Sequence, residues 1–228
     1  MWLVKVAVRV GLVVNYAVIL VYKSGAKYPA RLVTFGGPWK FLTHWNLWFQ
    51  LAYFTTALTN ELCNNSAVAE TKKSSKIQKL RDYLFSTVAF PFGMFVSVAF
   101  WGIYAYEAEL MWPQVIRDIF PPWANHMMHT APIVGQAIEM MMARHEYPDR
   151  TRGVMTTAAV SLTYLAWVCY IAKVGGFWVY PVLQVLPPTG RGVFLVTCSA
   201  CSGLLYLAGE KINSMVWGES NEADQKDE

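Results

Sequence analysis

The stretch Tyr83–Tyr106, YLFSTVAFPFGMFVSVAFWGIYAY, contains no charged side chain. A helix rises about 1.5 Å per residue, so about 20 apolar residues cross the hydrocarbon core of a bilayer. This stretch is therefore long enough to be a transmembrane helix. The composition agrees, because 15% of the 228 residues are charged, whereas a soluble domain has about 25%.

Five more apolar stretches surround the first, at Leu3–Tyr22, Phe41–Cys63, Ala124–Ala143, Gly153–Ala172 and Gly192–Trp217. Each is long enough to span a bilayer, and the loops between them are too short for a soluble domain. The sequence thus predicts an all-α, polytopic membrane protein, a bundle of about six transmembrane helices within 1–218. The acidic residues 219–228 are predicted to be a disordered cytosolic tail.

The positive charges predict the orientation. Twelve of the 19 Lys and Arg residues fall on the side of the N-terminus, and cytosolic loops carry the excess of such charges. Both termini are therefore predicted to be cytosolic, in the plasma membrane or the endoplasmic reticulum. The first stretch could instead be a signal peptide, but its length favours a transmembrane helix. No Lys or Arg run is long enough to predict nucleic acid as a partner.

Polar side chains cluster where the fourth stretch begins, in Asn125-His126-Met127-Met128-His129-Thr130. Ionisable groups inside a membrane helix are costly and usually mark a functional site. At 100° per residue, one face of this helix carries Asn125, His126, His129, Gln136 and Glu139. We predict that this face points into the bundle. Pro132 is expected to weaken the helical hydrogen bonds beside His129.

The second stretch has a similar polar face, formed by Thr43, Asn46 and Gln50, with Trp39 at its edge. In the predicted topology the second and fourth stretches run parallel. Thr43 and His129 then lie within one or two helical turns of the same membrane surface. The two side chains can therefore meet as a nucleophile and its base.

The chemistry of such a pair is simple. A Thr hydroxyl is a weak nucleophile and needs a base to take its proton, and His is the usual base. Asn125, Gln136 or Glu139 could orient the imidazole of His129. Glu139 lies about 15 Å along the helix, so direct contact is not expected.

Other functions are less well supported by the sequence. The His126-x-x-His129 spacing could bind a metal ion or haem, but only His44 could add an imidazole from a neighbouring stretch, so no metal or cofactor is predicted. The usual serine-hydrolase, zinc-protease and nucleotide-binding motifs are missing. A non-enzymatic transporter or regulatory protein with a polar cavity is the main alternative.

Several segments, spread over nearly the whole chain, resemble one membrane protein family, that of the androgen-induced gene 1 and androgen-dependent TFPI-regulating proteins. They are Gly37–Thr43, Ala89–Pro91, Ala99–Trp101, Trp123–Thr130, Tyr147–Pro148, Trp178–Pro181 and Leu205–Lys211. The pattern departs from the family's at Pro38 and His44, which flank a motif. The resemblance implies a hydrolase of fatty acid esters of hydroxy fatty acids. It also implies that Thr43 and His129 are the catalytic pair.

The resemblance further implies how the substrate would bind. Its acyl chains would lie among the helices, with the ester beside Thr43 and the carboxylate near the headgroups. Lys40 or Arg31 could hold that carboxylate, and Asn46, His126 or a backbone N–H could bind the oxyanion. The remaining polar residues would line or support the site; they are Trp39, Gln50, Asn125 and Gln136.

Overall fold

The computed structural model describes residues 2–26, 34–66 and 75–218. Within these ranges every regular element is a helix, which confirms the all-α prediction. The longer helices are α1 (Trp2–Gly25), α2 (Leu42–Ser66), α3 (Lys76–Tyr106), α4 (Pro122–His129), α5 (Ala131–Met142), α6 (Arg150–Gly175) and α7 (Pro188–Trp217). Arg31 and the predicted tail at 219–228 lie outside the described residues.

All six predicted stretches are helical. Of the described helices, α1, α3, α6 and α7 are long and apolar enough to cross a membrane. The other two stretches, α2 and the α4–α5 pair, carry the polar faces and are therefore less apolar. That these two also cross the bilayer stays a prediction, as does the orientation of the protein.

Two apolar clusters hold the helices together. In the first, Tyr16, Phe54, Phe85 and Met128 join α1, α2, α3 and α4. In the second, a set of side chains joins the start of α2 to α3, α6 and the segment before α7: Leu42, Phe92, Val168 and Leu183. The beginning of α2 is thus packed from several sides, which fixes the position of Thr43.

Proline interrupts two of the helices near this site. Pro91 has no N–H, and the turn before it, Phe85–Ala89, is a π-helix in which the Phe90 N–H donates to the Phe85 carbonyl. The Thr157 hydroxyl donates to the Thr87 carbonyl, which lies four residues before Pro91 (2.8 Å). A side chain of α6 thereby supplies the hydrogen bond that the proline cannot make.

The second interruption lies beside His129. Helix α4 ends at His129 and α5 begins at Ala131, because Pro132 cannot donate to the carbonyl four residues earlier. The expected weakening at this point is confirmed. The break lets α4 and α5 each present their own polar side chains to the bundle.

Helices α6 and α7 approach each other closely at Gly153. A Cβ at this position would lie 2.0 Å from the hydroxyl of Tyr206, a fully buried side chain of α7. We expect Gly153→Ala to destabilise the fold by about 1–3 kcal/mol, because the overpacked tyrosine would have to move. Gly203→Ala is the control, since a Cβ there meets nothing within 4 Å. Thermal unfolding in detergent should show a lower midpoint for Gly153→Ala alone, and equal midpoints would contradict the prediction.

Candidate active site

Helix α2 begins after a tight glycine turn. Gly36 and Gly37 have φ angles of 85° and 49°, a left-handed conformation that favours glycine. A Cβ on Gly36 would approach the side chains of Ile171 and Lys40 at 3.3 Å. The turn therefore lets the chain lie against α6, and a short 3₁₀ helix, Gly37–Lys40, then leads into α2.

Two tyrosines, one buried and one partly buried, fix the first turn of α2. The Leu42 N–H donates to the hydroxyls of Tyr164 (2.9 Å) and Tyr180 (3.1 Å), so this end of the helix is capped by side chains. Tyr164 in turn donates to the Lys40 carbonyl (2.9 Å). Burial raises the pKa of Tyr180, which keeps its hydroxyl protonated. Both hydroxyls therefore contact the backbone of the residue that immediately precedes Thr43.

The structure brings Thr43 and His129 together. The Thr43 Oγ1 atom lies 3.2 Å from the His129 Nε2 atom. On the other side of the ring, Nδ1 lies 2.7 Å from the Asn125 Oδ1 atom and 3.2 Å from the Asn125 carbonyl oxygen. A backbone carbonyl can only accept, so Nδ1 carries the hydrogen. Nε2 is then the acceptor, and the Thr43 hydroxyl donates to it.

Aromatic side chains hold the imidazole of His129 in this orientation. The Phe100 ring stacks on it, with 3.6 Å between the ring centroids and 7° between the planes. The Trp112 ring meets it edge-on at 5.8 Å. His129 is almost fully buried, so packing as well as hydrogen bonding limits its rotation.

An apolar groove adjoins the pair. Together with the part that opens to the outside, its space free of protein atoms is about 820 Å³. Thr43 lies in its wall together with side chains of α3, α6 and α7, among them Phe92, Phe100, Val168 and Leu195. Tyr164 and Tyr180 also line the groove. The nucleophile candidate is therefore accessible from a space suited to a hydrocarbon chain.

Other predicted residues form a buried hydrogen-bonded network. Gln50 donates to the Asn46 Oδ1 atom (3.0 Å) and to the Ala89 carbonyl (2.8 Å), and Gln136 donates to Gln50. Asn46, Gln50 and Gln136 are almost completely buried. They connect α2, α3 and α5, and thereby hold in place the helix that carries Thr43.

Trp39 and Lys40 lie just before α2. The Trp39 carbonyl accepts hydrogen bonds from the indoles of Trp45 (2.8 Å) and Trp167 (3.0 Å), while its own side chain is half-exposed. The Lys40 ammonium donates to Thr34 and lies 5.2 Å from the centre of the Phe41 ring. Burial lowers the pKa of Lys40. Both residues thus help to fix the chain immediately before the start of α2.

His126 is not brought to the pair. It is exposed, its Nδ1 atom lies 3.0 Å from the Thr130 hydroxyl, and its ring stacks near Trp101. The centre of the polar face, with Asn125 and His129, turns inward, and His126 at the edge of that face remains outside. No group of three or more His, Cys, Asp or Glu side chains in the described ranges could hold a metal ion.

Of the three groups considered for orienting His129, Asn125 makes the contact. Gln136 belongs to the network with Gln50. Glu139 pairs with Arg9 at a separate place in the bundle. The two tyrosines that cap α2 were not identified from the sequence, because no pattern links Tyr164 or Tyr180 to a residue more than 120 positions earlier.

The role of Asn125 can be tested by comparing Ala and Asp at this position. If Thr43 and His129 act as the nucleophile and base that the sequence predicts, Asn125→Ala should lower kcat for ester hydrolysis about tenfold. A buried hydrogen bond to a group that becomes charged contributes about 1.5–3 kcal/mol, and the backbone carbonyl remains as a second acceptor. Asn125→Asp keeps the acceptor and should retain more activity. Equal activity in the wild type and Asn125→Ala would show that the side chain does not orient the imidazole.

The comparisons with known proteins cover almost the whole chain. The model of the FAR-17a/AIG1-like protein family matches residues 4–214. The human androgen-induced gene 1 protein is 34% identical over 96% of this chain and 94% of its own. The human androgen-dependent TFPI-regulating protein is 32% identical over 86% of this chain and 84% of its own.

A more distant relative also has a name that refers to the membrane. A UPF0641 membrane protein of Schizosaccharomyces pombe is 23% identical over 59% of this chain and 60% of its own. No solved structure matches the chain. The match of the family model and the two human relatives, on an all-helical chain with apolar helices long enough to cross a membrane, shows that this protein is a member of the FAR-17a/AIG1-like family of membrane proteins.

Proposed function

We propose that this protein is an intramembrane ester hydrolase with Thr43 as nucleophile and His129 as general base. The observation that carries the proposal is the contact of the Thr43 hydroxyl with Nε2 of an imidazole whose Nδ1 hydrogen is directed to Asn125. A nucleophile, a base and a group that orients the base are the elements of this chemistry. The groove beside Thr43 supplies an apolar place for an acyl chain.

The proposed substrates are fatty acid esters of hydroxy fatty acids, which are cleaved to a fatty acid and a hydroxy fatty acid. Two long hydrocarbon chains suit a site that lies among apolar helices. The groove, with its phenylalanine, valine and leucine side chains, would hold one chain. The ester carbonyl would then lie beside the Thr43 hydroxyl at the first turn of α2.

In the first step, Thr43 Oγ1 bonds to the ester carbonyl carbon while His129 Nε2 takes its proton. The tetrahedral oxyanion collapses, and the carbon–oxygen bond to the hydroxy fatty acid breaks. The departing oxygen receives the proton from the imidazolium, which leaves an acyl-threonine. Water then attacks the acyl group, with His129 again accepting and returning a proton, and the fatty acid is released.

The oxyanion needs a hydrogen-bond donor. The hydroxyl of Tyr180 lines the groove and lies next to the residue that precedes Thr43. Because Tyr164 donates its hydrogen to the Lys40 carbonyl, Tyr180 donates to Tyr164 (2.8 Å). We assign the oxyanion to Tyr180, whose hydrogen would turn from Tyr164 to the oxyanion as it forms. The positive end of the α2 macrodipole, at Leu42 and Thr43, also favours negative charge there.

The experiment is covalent labelling combined with product analysis. The purified protein in detergent is incubated with a fatty acid ester of a hydroxy fatty acid, and both products are measured by mass spectrometry. A fluorophosphonate probe is added in parallel, and the labelled peptide is mapped. We expect hydrolysis and a label on Thr43. A label on another residue would overturn the mechanism, and the absence of both hydrolysis and label would favour a non-enzymatic transporter or regulatory protein.

A further inference from the structure

Lys23 is a buried basic residue in the last turn of α1. Its relative exposure is 8%. Lysines are almost never buried to this extent unless they are paired. Yet within 2–26, 34–66 and 75–218 no side-chain hydrogen bond or ion pair is formed by its ammonium group. Within the described residues this charge has no counterion, and the cost of burying it favours the binding of an anion.

The position of Lys23 relates this charge to the proposed active site. The end of α1 packs on α4, where the rings of Tyr22 and Trp123 meet with their centroids 4.9 Å apart. One turn before Lys23, Ile19 and Leu20 pack in the same apolar cluster as Ala124 and Met128 of α4. Lys23 therefore lies at the end of α1 that packs on the helix carrying His129.

The acidic groups of α2 and α5 cannot serve as the partner. Glu61 and Glu139 are bound to Arg9, which lies about 21 Å from Lys23 along α1. Lys40, the other buried lysine at this end of the bundle, is bound to Thr34 and lies over aromatic rings. Lys23 is thus better placed than Lys40 to receive an anion.

We propose that Lys23 binds the free carboxylate of the substrate. The inference rests on the proposed hydrolase function and adds a substrate preference to it. Helix α1 contributes no residue to the groove beside Thr43, so the carboxylate and the acyl chain would bind on different sides of the Thr43–His129 pair. The ester between them would lie at the nucleophile. The enzyme would then prefer esters that carry a free carboxylate over neutral esters of the same length.

The kinetic test compares two substrates and three proteins. The substrates are a fatty acid ester of a hydroxy fatty acid and the same compound with its carboxylate capped as a methyl ester. The proteins are the wild type, Lys23→Met and Lys173→Met, which removes an exposed lysine at the end of α6. Release of the acyl chain from the internal ester is measured in each case.

We expect kcat/KM of the wild type to be about 10- to 100-fold higher for the free acid, as for a hydrogen bond to a charged group. Lys23→Met should abolish this preference by raising KM for the free acid far more than KM for the capped substrate. Lys173→Met should keep the preference. An unchanged preference in Lys23→Met, or an equal loss for both substrates, would overturn the inference.

A binding test separates this inference from the hydrolase proposal. Palmitate should raise the thermal unfolding midpoint of the wild type more than hexadecanol does, because a ligand that binds the folded state stabilises it. In Lys23→Met the two compounds should have equal effects, and the midpoint without ligand should not fall, since an unpaired charge has been removed. A preference for palmitate that survives in Lys23→Met would overturn the carboxylate site. If hydrolysis is absent but the lysine-dependent palmitate effect is present, the hydrolase proposal alone fails.

Discussion

Thr43→Ala is expected to lower kcat for a fatty acid ester of a hydroxy fatty acid by at least about a thousandfold. Alanine has no hydroxyl, so the acyl-threonine cannot form. The remaining route is direct attack by water on the ester. His129 would have to activate that water, because the hydroxyl that lies 3.2 Å from its Nε2 atom in the wild type is gone. The measurement is the rate of fatty acid release by the purified variant at saturating substrate.

His129→Ala should cause a loss of the same size. The Thr43 hydroxyl would keep its place at the first turn of α2, but it would lose the imidazole that takes its proton. If the two residues act as one unit, the double variant should be no slower than either single variant. Effects that multiply in the double variant would mean that Thr43 and His129 contribute independently.

Two matched variants make the result specific. Thr43→Ser keeps a hydroxyl on the same backbone and should retain activity within about tenfold of the wild type. Thr59→Ala removes an exposed threonine of the same helix, whose hydroxyl donates only to the Thr55 carbonyl, and should change nothing. Full activity in Thr43→Ala would exclude the proposed nucleophile, whatever the other variants show.

The meeting of Thr43 with His129 could be predicted because it depends on local periodicity and on topology. A helix places its polar residues on one face regardless of its neighbours. The two faces begin at the same predicted membrane surface, on helices predicted to run parallel. Their polar groups can therefore be buried most simply against each other. The structure also pairs Gln136 with Gln50 across the same two polar faces, a contact that was not predicted.

His126 shows the limit of the periodicity argument. Its position about 100° from Asn125 left it at the edge of the polar face, and periodicity alone does not say which edge is buried. The packing of α4 on α3 decides this, because the ring of His126 lies against Trp101 on the outside of the bundle. Tertiary contacts of this kind have no local signature.

Tyr164, Tyr180 and Lys23 were not identified for a related reason. A lysine at the end of an apolar helix normally lies at the membrane interface with its charge in water, and a tyrosine within an apolar stretch looks like any other core residue. The fold instead buries Lys23 and Tyr164 and partly covers Tyr180. Arg9 and Lys23, two of the 19 basic residues from which the orientation is predicted, are buried within α1 rather than in loops.

The largest effect on stability is expected for Arg9→Met. Arg9 is fully buried, and its guanidinium binds Glu139 through two nitrogens, at 2.6 and 3.1 Å, and Glu61 at 2.6 Å. Methionine would leave two carboxylates without their cation in the interior of α1, α2 and α5. Removing one partner of a buried ion pair costs about 3–5 kcal/mol. We expect the free energy of unfolding to fall by this amount.

His145 does not share this role in the wild type. Its Nε2 atom lies 3.9 Å from Glu139 and 2.9 Å from the Tyr53 hydroxyl, but burial holds the pKa of this loop histidine well below its ordinary value. The imidazole therefore stays neutral at physiological pH. Arg9 thus remains the cation on which Glu139 depends.

The loss should be partly reversed when the carboxylate is also removed. Arg9→Met/Glu139→Gln leaves a neutral amide in place of the buried charge, so the double variant should be more stable than Arg9→Met alone. Arg150→Met is the matched control, because its exposed pair with Glu210 contributes at most about 1 kcal/mol. Unfolding midpoints in mixed micelles measure all three. If Arg9→Met and Arg150→Met lower the midpoint equally, the buried ion pairs of Arg9 do not stabilise the bundle. If the double variant is the least stable of the three, the loss in Arg9→Met does not come from leaving the Glu139 carboxylate without a cation.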